Sequence, residues 1–311
     1  MKLPLSAPEY FKDEEKIVKW LSQLTNKSPI LVSSRLWKER DNPGINVSDA
    51  MRQYGLKPHR WTDKLTEFYS QTDAFLYELI VWNLNKRKRR MRRCIGKYLY
   101  KNLGQHLNIL TVGDGLGVDS IYLTRAGHHV TYFETSTYAQ AFAKMLFADC
   151  AKDINVLDDP NQIPKNSYDV VICLDVLEHV PDPPEFVKTI TSYLKLNGHL
   201  FVHAPFYQIH PNTQTHLKSN RKYSGSLRLY ENHGLKLVDG ELFWNPIILK
   251  KISGWKTDYS SFKPKLLALR LAGLYLALGR FTILPFFWIK SFNSLTLAWA
   301  SSSVKSSAIA R

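Results

Sequence analysis

The stretch "ILTVGDGLGVDS", residues 109–120, decides how the rest of the chain is read. A short β-rich apolar run ends in three alternating glycines, Gly113, Gly115 and Gly117, and a helix-compatible segment follows. A strand, a tight glycine turn and a helix in that order make a loop whose backbone a ligand can approach. Seventeen residues beyond Gly117, a second β-rich run, "HVTYFE", closes on Glu134. An acid at the end of a second strand can accept hydrogen bonds from both hydroxyls of a ribose. The expectation is a nucleoside site. The spacing G-x-G-x-G lacks the G-x-G-x-x-G of dinucleotide binders.

The same alternation continues outward. "LNILTV", "HVTYFE", "DVVICL" and "HLFVHA" are short, apolar and β-rich, and helical patterns lie between them near 117–126, 137–149 and 184–196. Strand alternating with helix predicts an α/β fold with a parallel, doubly wound sheet. A further helix near 225–233 and strands near 235–238 and 242–250 complete it. Before this unit, residues 12–83 read as largely helical, with the pattern from Leu65 to Trp82 compatible with one or two helices. After it comes an apolar tail from Pro264, interrupted by Arg270, Arg280 and Lys290. No window of it reaches the ~18–20 uncharged apolar residues of a spanning helix. Its leucines, from Leu266 to Leu278, surround the first helix, which predicts burial in protein or in lipid. The division expected is a helical N-terminal region over 1–104, a ligand-binding domain over 105–252 and an apolar, basic tail over 253–311.

The second informative stretch is "SYDVVICLDVLEHVPDPPEFV", residues 167–187, a strand running into a short acidic turn and then a helix. Asp175, Glu178 and His179 stand at i, i+3 and i+4, so on a helical turn they share one face. Two carboxylates and an imidazole suit a divalent ion. The alternative is a helix-start and pocket-wall feature without metal. Three histidines stand where loops follow strands: His179, and His210 and His216 in "HAPFYQIHPNTQTH", residues 203–216. Such loops, at the C-terminal ends of strands, are where this sheet type builds its site. His203, inside the strand, reads as structural.

Together these motifs resemble the class I S-adenosylmethionine-dependent methyltransferases, over roughly residues 100–250. The leucine-glutamate-histidine-valine-proline-aspartate-proline run at 177–183 is similar to that of the ubiquinone-biosynthesis O-methyltransferase family. The resemblance implies a Rossmann-like seven-stranded sheet and S-adenosylmethionine as cofactor. It implies that Gly113, Gly115 and Gly117 cradle the methionine part, that Glu134 holds the ribose, that Asp159 lies near the adenine amino group, and that Leu174 and Asp175 line the cofactor. It implies a metal at Asp175, Glu178 and His179, and methyl transfer to oxygen. One departure stands out: the family usually has an acid two residues before the first glycine, where this chain has Thr111, and Asp114 is the residue that could compensate. Methyl transfer needs alignment of nucleophile and methyl group, and a proton acceptor when the nucleophile is a hydroxyl. His179, His210 and His216 are the candidates for that role.

Charge directs the search for partners. The chain of 311 residues carries a net charge of +15, concentrated in two zones. One is "KRKRRMRR", residues 86–93, and the other runs from Lys250 to Arg311; the rest is near neutral. This is the footprint of an anionic partner. The run at 86–93 has no interleaved aromatic residue for base stacking. A membrane surface finds a second, apolar signal in the tail, where Phe286, Phe287, Trp288 and Trp299 suit an interface. A solvated helix face is the plain alternative. The expectation is a small-molecule or lipid-like acceptor, with an anionic membrane contact through 86–93 and 264–300; an RNA-modifying enzyme and a non-catalytic adenosine-binding scaffold are the alternatives. Cys94, Cys150 and Cys173 are too far apart for a metal-ligand spacing. They predict a reducing, cytoplasmic setting, and the N-terminus reads without a secretion signal.

Overall fold

The computed structural model describes residues 11, 13–150, 153–253 and 263–281. Six helices come first: α1 Glu14–Thr25, α2 Pro29–Asp41, α3 Ile45–Gln53, α4 Asp63–Gln71, α5 Ala74–Leu84 and α6 Lys86–Tyr98. The pattern from Leu65 to Trp82 thus belongs to two helices. The chain turns extended at Thr72 (φ −86°, ψ 137°), which ends α4. A second break falls at Asn85 (φ −66°, ψ 139°), so α6 begins with the basic run itself. The Asn85 side chain accepts a hydrogen bond from the Arg87 amide at 2.8 Å. It thereby satisfies one of the otherwise unpaired amides at the helix start.

The strands are β1 Asn108–Val112, β2 His129–Phe133, β3 Ile154–Leu157, β4 Tyr168–Leu174, β5 Leu194–His203, β6 Leu235–Gly240 and β7 Ile247–Lys251. They form one sheet in the order β3-β2-β1-β4-β5-β7-β6. The first five pair in parallel, as expected. β7 departs from the all-parallel expectation and runs antiparallel to both β5 and β6. Only residues 241–246 link β6 to β7, too few for a crossover, so β7 must return antiparallel. Residues 242–244, expected in the last strand, form a 3₁₀ turn instead.

Helices α7 Val118–Arg125, α8 Thr137–Cys150, α9 Pro183–Tyr193 and α10 Arg228–Glu231 connect the strands. The sheet is covered on both faces, which explains its near-continuous apolar strands. On one side Val171, Leu200 and Leu249 pack with Val187 and Ile190 of α9. On the other, Tyr132 packs with Ile121 of α7, Phe142 and Leu146 of α8, and residues of α1, α2 and α5.

The tail begins with α11, Pro264–Leu278. It is buried on one side only, through Leu269, Ala272, Gly273 and Leu276. Trp244 Nε1 donates to the Leu269 carbonyl at 2.9 Å and anchors this face. Leu267, Leu271 and Leu274 stay exposed, so the expectation of burial all round holds for one face. Phe286, Phe287, Trp288 and Trp299 lie outside the described residues. Among the described residues no helix is long and apolar enough to cross a membrane.

Candidate active site

A cavity of about 650 Å³ opens at the C-terminal ends of the parallel strands. Its floor comes from the turns after β1, β2, β4 and β5, and its roof from α4 and α5. Gly113 (φ 70°) and Gly115 (φ 58°) line it in the left-handed region that favours glycine. A Cβ on Gly113 would overlap the Val176 side chain, and one on Gly115 would meet Leu79. These two positions bring bare backbone to the cavity wall. Gly117 also has positive φ, 74°, but packs against Phe147 as the residue capping α7.

Glu134 stands at the end of β2 on the same wall. Its carboxylate accepts from the Gly115 amide at 2.9 Å and from those of Thr135 and Ser136 at 2.7 and 2.9 Å. It joins the turn after β1 to the turn after β2. Burial pushes its carboxyl up, although the three amides act against this. Asp114 points elsewhere: its oxygens accept from the Asp119 and Ser120 amides at 3.1 and 2.7 Å, at the start of α7. Burial, followed by the charge of Asp119, raises its carboxyl to about 7. Asp159 caps the short 3₁₀ turn Pro160–Gln162 through the Asn161 amide, 2.8 Å away. Leu174 is buried in the core. Thr111 is buried and its hydroxyl lies 2.8 Å from that of Ser120.

Asp175, just past β4, has a φ of 62° and both carboxylate oxygens engaged. Oδ1 meets His203 Nδ1 in a close contact, while Oδ2 accepts from Trp82 Nε1 at 3.0 Å and from Lys88 Nζ at 3.4 Å. Burial alone would raise this carboxyl, but His203 and Lys88 outweigh it and hold it far below the ordinary carboxylate range. Lys88 belongs to the basic run. It is 6% exposed and also reaches Asp119 at 3.1 Å. Arg92, 1% exposed, pairs with Asp119 and Asn83. Two cations of the run are therefore interior groups beneath the glycine turn, and Arg90 pairs with Glu241 at 2.6 Å. These partners offset the unfavourable meeting of cations with the positive end of the α6 dipole.

On the far side of the cavity His179 and His216 come together, their rings edge to face with centroids 4.8 Å apart. His210 lines the same cavity. His179 Nδ1 faces the Tyr69 hydroxyl at 3.0 Å and the Thr215 carbonyl at 3.2 Å. A carbonyl only accepts, so Nδ1 carries the proton and Nε2 the lone pair. Burial lowers the His179 imidazole to about 4 and that of His216 well below its ordinary value, so both are neutral at neutral pH. Glu178 is 1% exposed, and no other residue donates a hydrogen bond to either of its oxygens. Burial, followed by the charge of Asp175, pushes its carboxyl well up.

Five residues at this site escaped the sequence reading. Tyr69 and Trp82 carry no spacing signal, because they arrive from helices distant in sequence. His203 read as structural, yet it lines the cavity and holds Asp175. Lys88 and Arg92 did carry a signal. With Met91 and Ile95 they occupy i, i+3, i+4 and i+7, the buried face of a helix.

The geometry fits S-adenosylmethionine: exposed turn backbone, an acid at the end of the second strand and an open cavity beyond. Sequence comparison with known proteins agrees. The family described as "Methyltransferase domain" matches residues 84–238. The ubiquinone biosynthesis O-methyltransferase of Nitrosospira multiformis is 28% identical over 185 residues, 58% of this chain and 69% of that protein. That of Ralstonia nicotianae is 34% identical over 113 residues, 35% of this chain and 46% of that protein. The chain thus spans less than half the length of the Ralstonia relative. Among solved structures, a Haemonchus contortus phosphoethanolamine N-methyltransferase with bound S-adenosylhomocysteine has a TM-score of 0.45 at 16% identity, covering 55% of this chain and 44% of that one. With the strand order, the glycine turn and the matched domain in agreement, the chain is a class I S-adenosylmethionine-dependent methyltransferase that resembles the ubiquinone-biosynthesis O-methyltransferase family.

Proposed function

We propose that the protein transfers the methyl group of S-adenosylmethionine to a hydroxyl of a small, largely apolar acceptor. The observation that carries this reading is the cavity that joins the Gly113–Gly115 turn and Glu134 to the neutral His179–His216 pair. Gly113 and Gly115 present backbone to the methionine part, and Glu134 presents its carboxylate to the ribose. Asp175, fixed by His203, Trp82 and Lys88, completes the cofactor wall. Gly117 and Asp114 act indirectly, by shaping the turn and the start of α7; Leu174 supports the wall from within the core. Asp159 stays a candidate for the adenine edge. The cofactor supplies an electrophilic methyl group; the chain aligns the acceptor and takes its proton. His179, His216 and His210 are the proton acceptors of this reading, since an unprotonated imidazole can receive a hydroxyl proton as the new bond forms. The N-terminal region, through α4 and α5, forms the acceptor side.

A lipid-like acceptor met at a membrane surface is the finer form of the proposal. The exposed row Leu267, Leu271 and Leu274 on α11 supports it. So does the meeting of the two basic zones at one corner, where Arg90 pairs with Glu241 and Lys265 with Asp239.

The test is incubation with methyl-labelled S-adenosylmethionine and paired acceptors, a prenylated hydroquinone and a prenylated amine, with and without anionic liposomes. Label on the hydroquinone oxygen, enhanced by liposomes, is the expected result. Label on the amine alone, or on neither, contradicts it.

A further inference from the structure

We infer that this cavity holds a divalent transition-metal ion on Glu178, His179 and His216, and that Asp175 is not among its ligands. The proposal rests on the proposed function and revises one part of it: His179 and His216, once bound to the ion, have no lone pair left, so His210, which lines the same cavity, takes the acceptor's proton. The test reads metal binding itself, so the two can fail separately.

The donors converge because the chain ties them together. Glu178 and His179 follow β4 in sequence. The loop carrying His216 is stitched to that turn: the Leu217 amide donates to the Glu178 carbonyl at 3.0 Å, and Asn220 Nδ2 donates to the Val180 carbonyl at 2.8 Å. His59 Nδ1 lies 3.0 Å from the His216 carbonyl and fixes the loop from the other side. The result brings one donor atom from each of Glu178, His179 and His216 within 4.8 Å of one another. An ion roughly 2.1 Å from each donor asks for separations of roughly 3.4 Å in tetrahedral geometry. Binding would draw the donors together by side-chain rotation.

Each donor is also available. Neither Glu178 oxygen accepts a hydrogen bond from another residue, and His216 Nδ1 has no partner, although Glu178 is 1% and His216 8% exposed. Buried polar atoms normally find partners, so two such groups aimed at one point indicate a ligand. For His179, Nδ1–H faces the Thr215 carbonyl, which leaves Nε2, 3.9 Å from Glu178 Oε1, as the coordinating nitrogen. A backbone carbonyl orienting the remote nitrogen is the usual support of a metal-bound imidazole.

The set that the resemblance implies, Asp175 with Glu178 and His179, does not fit. Both oxygens of Asp175 are committed to His203, Trp82 and Lys88, and a lysine ammonium at 3.4 Å opposes a second cation there. Replacing a carboxylate by an imidazole changes the chemistry. Two imidazoles and one carboxylate suit zinc, cobalt or iron, whereas magnesium prefers oxygen donors. Three protein ligands leave a position open, and a bound ion would there supply Lewis acidity toward an acceptor oxygen.

The experiment uses the tag-free full chain, freed of metal with chelator. It is titrated with Zn²⁺ by calorimetry in the presence of excess Mg²⁺, and with Co²⁺ by visible absorption. Variants are Glu178→Gln, His216→Asn, Asp175→Asn and His210→Asn, each checked for folding by circular dichroism. The expected result is one equivalent of Zn²⁺ or Co²⁺, with cobalt bands of low coordination number. Affinity falls at least about tenfold in Glu178→Gln and His216→Asn, and is kept in folded Asp175→Asn and His210→Asn. Absence of stoichiometric Zn²⁺ and Co²⁺ binding by wild type overturns the proposal, independently of any variant. Undiminished binding by His216→Asn, or loss in a folded Asp175→Asn, also overturns it.

Discussion

Lys88 Nζ, from the middle of the basic run, lies 3.4 Å from Oδ2 of Asp175, at the end of β4. The most conspicuous charge signal in the sequence thus places a charge inside the molecule, beneath the Gly113–Gly115 turn. Burial disfavours the ammonium, but Asp119 and Asp175 outweigh it and raise Lys88 above its ordinary value. Lys88→Met takes the shared cation from buried Asp119, which keeps Arg92, and from half-buried Asp175, which keeps His203 and Trp82. Removing one partner of a buried pair costs roughly 3–5 kcal/mol. Urea unfolding of Lys88→Met is expected to show a loss of that order, while the exposed Arg93→Gln stays within about 0.5 kcal/mol of wild type.

Gly113→Ala tests the turn. At φ 70° an added methyl is strained, and it would overlap Val176 on the cavity wall. Left-handed strain for a non-glycine residue costs roughly 1–3 kcal/mol. The expected outcome is a folded protein with a lowered melting temperature and affinity for S-adenosylhomocysteine reduced more than tenfold.

Asp114 makes stability depend on pH near neutrality. Its carboxyl is raised to about 7 in the folded protein, chiefly by burial. A raised carboxyl binds its proton more tightly in the folded state. Its contribution is therefore complete below its unfolded value and is lost as pH rises through about 7. Asp114→Asn removes this dependence. Comparing denaturant midpoints at pH 5 and pH 8, wild type should lose roughly 1–2 kcal/mol relative to Asp114→Asn on going to the higher pH, a figure reduced for the partial exposure of the turn.

Gly225 holds α11 in place. Its φ is 63°, and a Cβ there would overlap the Gly273 carbonyl in the middle of that helix. Gly225→Ala is expected to loosen α11 while leaving the sheet intact. Limited proteolysis should then cut within residues 264–281 at protease levels that leave wild type whole.

The parts of the fold written in local pattern were readable without coordinates. The glycine turn, Glu134 and the strand-helix alternation each depend on neighbours close in sequence, and β1 to β5 follow from them. The direction of β7 depends on the length of a link whose first residues look like strand. The fate of the basic run was hidden for another reason. Charge count says nothing about which lysine faces inward; the helical face shared by Lys88, Met91, Arg92 and Ile95 does. His179 and His216 each stand in a loop after a strand, but their meeting depends on the tie between Leu217 and Glu178, which no spacing rule reveals. The resemblance implies a metal role for Asp175, but its oxygens are engaged by His203, Trp82 and Lys88, which arrive from β5, α5 and α6.

Calorimetry with S-adenosylhomocysteine on wild type and Glu134→Ala probes the nucleoside site directly. One site per chain is expected, with affinity at least about tenfold weaker in the variant, because the carboxyl proposed to accept from the ribose hydroxyls is lost. No binding by wild type, or equal binding by a folded Glu134→Ala, would contradict it.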